Sequence, residues 1–547
     1  FRRVVGMAEL GRVLRMYVGA TVAQMVFNVV RSFLRRRQIL KTLEPIPTVR
    51  GPAPNPILGH VGEMVKHLHS MYDWRMRITE GLPRSKMLMP AWQPEAFVLM
   101  RRPDDVKHVL KDAFSKYSKA GPERDVFWFY FNEWLGEGIF VLPHGVGAPD
   151  GGEKWQRQRK IASNIFNRAN MNGLMKSVFN DNAAHAVKVV RPGEIMDLQI
   201  LFFRFTMDSI MAVFFGEKTN TLEGESSAYG SAYDQAHRAL TKFFFESMPF
   251  NSFLEILPFP WGGKGGPVGR LHRWLNKDWQ QVVQAKKVLD SEARRIIEES
   301  YADPNLSTRS DLLSLYMNDP EIKAMPKAER YAYLQDTILN FVIAGRDTTA
   351  CTLTWMFYVL CQHPDLQREV QEEIDEKLPA SKPMGVAELA HTNVPKLHAL
   401  LFETLRLYPP VPFDEKECME DDELPDGTKI PKGTHMAFVP YSQGRDPELW
   451  KNPEKVDLSR WIPFKSPSPY EFPVFQAGPR VCLGMDMAIY EAKLAAASLL
   501  REYTFTLAPG EAEKITYSLM ITMSLCNNKD QTSHELNVIP TRREKKA

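Results

Sequence analysis

Ten residues near the C-terminal end, Phe475-Gln-Ala-Gly478-Pro-Arg480-Val-Cys482-Leu-Gly484, carry the sharpest chemical signal in the chain. An isolated cysteine is most often a small buried hydrophobe. Here Gly478 and Gly484 permit a tight loop, and the apolar spacing of a helix, from about Leu483 to Tyr503, begins directly after Cys482. Amide N–H groups and the dipole at a helix start stabilise a thiolate, the form of cysteine that binds metals. Hydrogen bonds to such a sulfur tune the bound metal. Arg480, two residues away, can reach an anionic group beside it. The pattern predicts Cys482 as a metal ligand.

A second chemical cluster is Ala344-Gly345-Arg346-Asp347-Thr348-Thr349. Glycine costs about 1 kcal/mol relative to alanine inside a helix, so Gly345 wants a reason. Its missing side chain would open a groove for a diatomic ligand, with the Asp347 carboxylate and Thr348 hydroxyl beside it to relay protons. The structural alternative is a threonine bonded back to its own helix and an aspartate paired with Arg346. Glu403-Thr-Leu-Arg406 is weak by itself, because Glu9–Arg12 and Glu292–Arg295 repeat the spacing and an exposed pair contributes only a few tenths of a kcal/mol. Trp155 and Arg159 form the chain's one Trp-x-x-x-Arg. That spacing puts ring and guanidinium on one helical face, where Arg159 offers bidentate contact to a carboxylate. For Arg159 the competing assignment is a solvated side chain.

These groups need a scaffold. A long helix is expected from about Lys327 to His363, closed by Pro364 and apolar on most faces after Ile338, hence buried. Further helices are expected over 364–378 and 394–408, and short strands around 427–440. Met87 to Met100 reads as strands broken at Pro90 and Pro94. The glycine-rich stretches Gly145–Gly152 and Gly262–Gly269 read as flexible surface loops. Helices therefore dominate, with a minor sheet and no internal repeat.

The N-terminal 43 residues hold nine Lys or Arg and one acid, which leaves the remainder net negative although the 547-residue chain totals +3. Basic charge confined to one terminal segment excludes a nucleic-acid footprint. Residues 16–30 are uncharged and flanked by arginines. They fall short of the roughly 20 apolar residues of a full span, but flanking arginines can snorkel. A membrane anchor with Arg35, Arg36 and Arg37 on the cytosolic side is expected; a transit peptide and an interfacial helix are the alternatives. The proline-dense stretch Pro45–Gly59 reads as a stiff spacer. The expected organisation is an anchor over 1–43, a hinge over 44–60, one catalytic body over 61–540 and a basic tail over 541–547. Five cysteines make no disulfide framework, which suits a cytosol-facing body.

Phe475, Gly478, Arg480, Cys482 and Gly484 match all five fixed positions of the haem-binding loop of the cytochrome P-450 family, which the chain resembles from the proline stretch to the last helix. The resemblance implies a mainly α fold with a minor β-sheet region, a triangular helical prism with haem between the central helix and the cysteine loop. It implies haem b with Cys482 as thiolate ligand, and Ala344, Gly345, Asp347 and Thr348 on the oxygen-activating helix. Trp155, Arg159, Arg480 and Lys416 would hold the propionates. Glu403 and Arg406 would form the family's buried pair, with Arg460 completing it. Around Arg460 the pattern departs, with Val456, Leu458 and Ser459 where Phe, Pro and Glu are usual.

Phe341–Ala350, Val411-Pro-Phe-Asp414 with Lys416, and Asp421 to Thr428 resemble the fatty-acid ω-hydroxylases known especially from plants. The implied activity is hydroxylation of a C–H bond with O2 and two electrons from NADPH through a cytochrome P-450 reductase, or through ferredoxin in an organelle. Phe140, Val342, Ala344, Val411 and Ile521 are the expected channel walls. Another lipid substrate (a sterol, carotenoid or alkane), a lipid-hydroperoxide isomerase or dehydratase, and a non-catalytic haem-binding membrane protein are the alternatives. The implied location is the endoplasmic reticulum membrane, with mitochondrion or plastid as alternatives.

Overall fold

The computed structural model describes the chain except residues 1, 92–95, 120–125, 226, 255–265, 379–381, 520, 529–532 and 545–547. The elements that bear on the site are α1 (Arg2–Thr42), α2 (Met71–Thr79), β1 (Arg84–Leu88), β2 (Ala96–Met100), β3 (Tyr117–Ser118), α3 (Glu153–Ser163), α4 (Leu198–Phe215) and α5 (Ala228–Leu254). They continue with α6 (Lys327–Val342), α7 (Thr348–Gln362), α8 (Pro395–Leu407), β4 (Asp414–Cys418), β5 (Thr434–Phe438) and α9 (Met485–Glu502). Helices dominate, as expected. One five-stranded sheet runs in the order β1-β2-β5-β4-β3, antiparallel except where β2 pairs with β5.

Local chemistry sets the boundaries. Pro364 and Pro395 occupy first helical turns, where a missing N–H costs nothing. Asp197 caps α4 by accepting from the Gln199 amide at 2.8 Å. The expected continuous helix over 327–363 is two α-helices joined by a wide turn over Ile343–Asp347, a local insertion of the kind found at functional sites. In the core, Phe202 of α4 meets Phe357 of α7 at 5.1 Å between centroids, and Trp355 stacks on Tyr408 at 4.2 Å. α4 is long and apolar enough to cross a bilayer, but 78% of it is buried, which marks it as a core helix.

Three expectations are corrected. Gly145–Gly152 is not a free loop: a Cβ on Gly145 would collide with the Ser115 carbonyl. Of the second glycine-rich stretch, 262–265 lie outside the described residues, and Pro267 opens a helix over Pro267–Leu275 that contains Gly269. The proline stretch is docked rather than spaced away, because Ile46 and Val49 are buried. The Val49 amide donates to Lys86 O at 3.1 Å and the Lys86 amide to Pro47 O at 2.8 Å. α1 itself presents Met16, Val26, Phe27, Phe33 and Leu34 outward, whereas Ile39 and Leu43 are buried beneath the sheet.

Glu491 of α9 is fully buried, and neither carboxyl oxygen accepts a well-formed hydrogen bond. Burial pushes its pKa up to about 8, against a partial offset from Ser209. The folded chain therefore keeps a proton that the unfolded chain releases above about 4.5, so stability falls as pH rises between those values. Glu491→Leu should flatten that decline and stabilise the protein at pH 8 by a few kcal/mol, measured by urea unfolding at pH 6 and pH 8. Parallel profiles for the two proteins would refute this.

Candidate active site

A cavity of about 530 Å³ lies between the α6–α7 region and the loop before α9, within the size range of small-molecule sites. Phe475, Arg480, Cys482 and Gly484 line it on one side, and Ala344, Gly345, Thr348 and Thr349 on another. Trp155, Arg159 and Lys416 also line it, as do Phe140, Val411 and Ile521. Val342 does not: it is fully buried, while Phe341 and Ile343 on either side of it face the cavity. Positions 341, 344, 345, 348 and 352 form one helical stripe, and Val342 falls off it.

The cysteine loop is closed by the Cys482 amide donating to Phe475 O at 2.8 Å and the Val481 amide to Gly478 O at 3.0 Å. Gly478 has φ +64°, and a Cβ there would collide with the Leu110 carbonyl. It shapes the loop from behind rather than lining the cavity. Gly484, with φ −90°, needs no such freedom. α9 starts at Met485, three residues beyond Cys482. The sulfur is accessible because it faces the cavity, yet it sits deep in the fold. Burial pushes its thiol pKa up, and the Gly484 amide and the Arg159 charge only partly oppose this. The helix-start effect expected from sequence is thus present but outweighed.

Among the described residues, five basic side chains (Arg75, Lys119, Arg159, Lys416 and Arg480) line the cavity with two acids, Asp414 and Glu415. Arg480 donates to Leu142 O at 2.6 Å, Ile139 O at 3.3 Å and His144 Nδ1 at 3.1 Å. It also lies 4.4 Å over the Trp155 ring. Burial lowers the Arg480 pKa to about 9, despite Asp414. His144 accepts at Nδ1 and so carries its proton on Nε2, toward Phe114 O at 3.1 Å. Burial and Arg480 hold its pKa down at about 3. Arg159 donates to Val481 O at 2.6 Å. Lys416 bonds Asp414 at 2.9 Å, as does Lys119; burial still lowers Lys416 to about 7. Burial raises the Asp414 carboxyl, but the two lysines outweigh it and hold it well below its usual range.

Thr348 and Asp347 adopt the arrangement weighed above as the structural alternative. The Thr348 hydroxyl donates to Ala344 O at 2.6 Å, yet the side chain lines the cavity. Asp347 turns away from it, 1% exposed. Its carboxylate accepts from Tyr233 Oη at 2.9 Å and Arg346 at 2.9 Å, with His237 Nδ1 at 3.4 Å. Burial raises its pKa, but Arg346 and His237 outweigh burial and hold it below the usual range. Arg346 continues to the partly exposed Asp234 at 2.7 Å. Gly345 has a packing reason: a Cβ there would collide with Ile210 of α4.

Glu403 and Arg406 are both 0% exposed and joined by two bonds of 2.8 Å. Arg406 also donates to Gly444 O at 2.5 Å and Pro453 O at 2.6 Å. Glu403 accepts from the Asp457 amide at 2.8 Å, from Trp461 Nε1 at 2.9 Å, and more distantly from Arg460 at 3.4 Å. The pair therefore ties α8 to residues 444–461, upstream of the cysteine loop. Lys119, His144, Tyr233, His237 and Trp461 escaped sequence reasoning, because each acts through a partner far away in the chain.

The cytochrome P450 family model matches residues 49–534, nearly the whole body. The chain belongs to the cytochrome P450 family. Among curated relatives, it is 31% identical over 537 residues to Cytochrome P450 704B1 of Arabidopsis thaliana, covering 90% of this chain and 95% of that one. It is 30% identical over 502 residues to Cytochrome P450 704C1 of Pinus taeda, covering 85% and 89%, and 29% identical over 472 residues to Cytochrome P450 94A1 of Vicia sativa, covering 83% and 84%. The protein is thus a P450 monooxygenase, an enzyme of a haem-thiolate family with a redox partner and a lipophilic substrate. The cavity fits the cofactor of that P450 family. Among the described residues it offers one thiol, that of Cys482, basic side chains such as Arg159 and Arg480 for two propionates, and largely apolar walls for a macrocycle.

Proposed function

We propose that this P450 is a fatty-acid ω-hydroxylase that uses O2 and takes its electrons from NADPH through a cytochrome P450 reductase, with Cys482 as the ligand to haem iron. The observation that carries the proposal is that the Cys482 sulfur and the Thr348 hydroxyl line one cavity whose remaining wall is mainly apolar. Bound haem supplies oxygen activation and C–H hydroxylation. Arg480, Arg159 and Trp155 would hold its propionates, with Lys416 and Lys119 sharing Asp414 nearby. Because the Thr348 proton is committed to Ala344 O, its oxygen is free to accept a hydrogen bond from the cavity. Asp347 holds its charge behind the helix, paired with Arg346 and through it with Asp234, and so fixes the helix that carries Thr348. Terminal methyl C–H bonds are stronger than their neighbours, so ω-selectivity requires walls that admit only a chain end. Phe140, Ala344, Val411 and Ile521 suit that task.

The outward apolar side chains of α1, followed by Arg35 and Arg37, support its place in a membrane, with the body on the cytosolic side of the endoplasmic reticulum. The proposed organisation keeps 1–43 as anchor, 44–60 as a docked connection and 61–540 as the catalytic body. The test is incubation with the reductase, NADPH and lauric to oleic acids, read by product analysis. Terminal alcohols are expected. Hydroxylation of a sterol or carotenoid with no fatty-acid turnover overturns the substrate assignment.

A further inference from the structure

Among the described residues on the cavity wall, four basic side chains have hydrogen-bond partners: Lys119 and Lys416 share Asp414, Arg159 is held by Val481 O, and Arg480 by Ile139 O, Leu142 O and His144. Arg75 differs. It extends from α2, and its guanidinium makes no ion pair and no hydrogen bond among the described residues; its Nε is buried without a partner. What holds it is the face of the Phe413 ring, 4.0 Å from the guanidinium carbon, a contact that orients a cation without neutralising it. Burial lowers its pKa, and Glu415 acts on it only through space. The neighbouring acid, Asp73, is committed to Tyr441 and Tyr517 at 2.7 and 2.9 Å.

Arg75 is half-buried and faces the cavity, and a buried Nε–H held there without an acceptor is costly unless something supplies one. Its surroundings say what kind of group that is. Arg75 lines the cavity beside the apolar side chains Met64, Met71, Met87 and Phe97, on a wall formed by α2 and the sheet rather than by the cysteine loop. The cysteine-loop side of the cavity has its own cations, Arg159 and Arg480, so Arg75 on the opposite wall is not needed to face the propionates of a bound porphyrin. We propose that Arg75 is the anchor for the substrate's carboxylate, fixing the polar end of a long-chain acid by a bidentate contact while its chain runs along the apolar wall. This rests on the fatty-acid assignment above and adds to it the residue that selects an acid over a neutral lipid.

The test compares lauric acid, methyl laurate and 1-dodecanol, which share a chain and differ in the end group. Binding to the reconstituted holoenzyme is measured by calorimetry and by the haem spin-state shift. The wild-type protein is expected to bind the acid about 10- to 100-fold more tightly than the ester or alcohol, as a charge-assisted contact predicts. In Arg75→Gln the acid and ester should bind alike, and Arg75→Lys should restore part of the preference. Equal binding of acid and ester by the wild-type enzyme overturns the anchor and leaves the fatty-chain assignment standing. Failure of all three to bind overturns both. Loss of haem from Arg75→Gln, with the acid preference intact in Arg75→Lys, would make Arg75 a cofactor contact and overturn the anchor as well. The acid-to-ester ratio is internal to each protein, so a fall in stability cannot imitate the expected result.

Discussion

Changing Cys482 to serine is expected to abolish oxygenation and to remove the long-wavelength Soret band that a thiolate-ligated, reduced haem shows with carbon monoxide. A serine oxygen is a poorer donor than sulfur, and the Gly484 amide and the Arg159 charge that favour an anion at this position cannot make an alcohol into a comparable ligand. Turnover should fall to the level of protein-free controls. The loop should survive, because the bonds that close it, from the Cys482 amide to Phe475 O and from Arg159 to Val481 O, involve main-chain atoms at their accepting ends. Near-normal folded yield with an altered spectrum is therefore the signature. An unchanged carbon monoxide spectrum would remove Cys482 from the iron, and with it the basis of the proposed chemistry.

Glu403→Ala is expected to cost about 3–5 kcal/mol, the range for stripping one partner from a buried ion pair. The number is large because Arg406 would keep its charge at zero exposure, and because the Asp457 amide and Trp461 Nε1 would lose their acceptor together. Residues 453–461 should loosen first, ahead of the cysteine loop. Chemical denaturation gives the stability, and amide exchange over 444–461 gives the location. A variant as stable as the parent, with unchanged exchange there, would show that the pair does not hold this segment. Arg460 sits farther from Glu403, so its replacement should matter less.

The helices were legible wherever apolar spacing met a punctuating residue. Pro364 marked the start of its helix, the helix expected over 394–408 runs over Pro395–Leu407, and the fixed positions around Cys482 marked the loop. What remained hidden has identifiable causes. The wide turn at Ile343–Asp347 shifts which side chains face inward, so the expected wall residue Val342 is core while its two neighbours line the cavity. Gly345 looked like an opening for a ligand, but only the distant Ile210 reveals its packing role. The prolines of 45–59 suggested a spacer, and two apolar residues among them, Ile46 and Val49, were enough to dock it. Lys119 and His144 have no local spacing that announces them; the fold brings them to Asp414 and Arg480.

The uninterrupted run of α1 into the body has a physical consequence. Arg36, one turn before the buried Ile39, donates to the carbonyl of Met89 at 2.8 Å, and Met89 lines the cavity. With α1 in a bilayer, the enzyme cannot swivel freely on a slack tether, because the helix that sets its posture is bonded to the wall of the cavity. The catalytic body then rides at a set height and tilt above the lipid. Substrate dissolved in the leaflet approaches by lateral diffusion, so occupancy follows its mole fraction in the membrane more closely than its concentration in water.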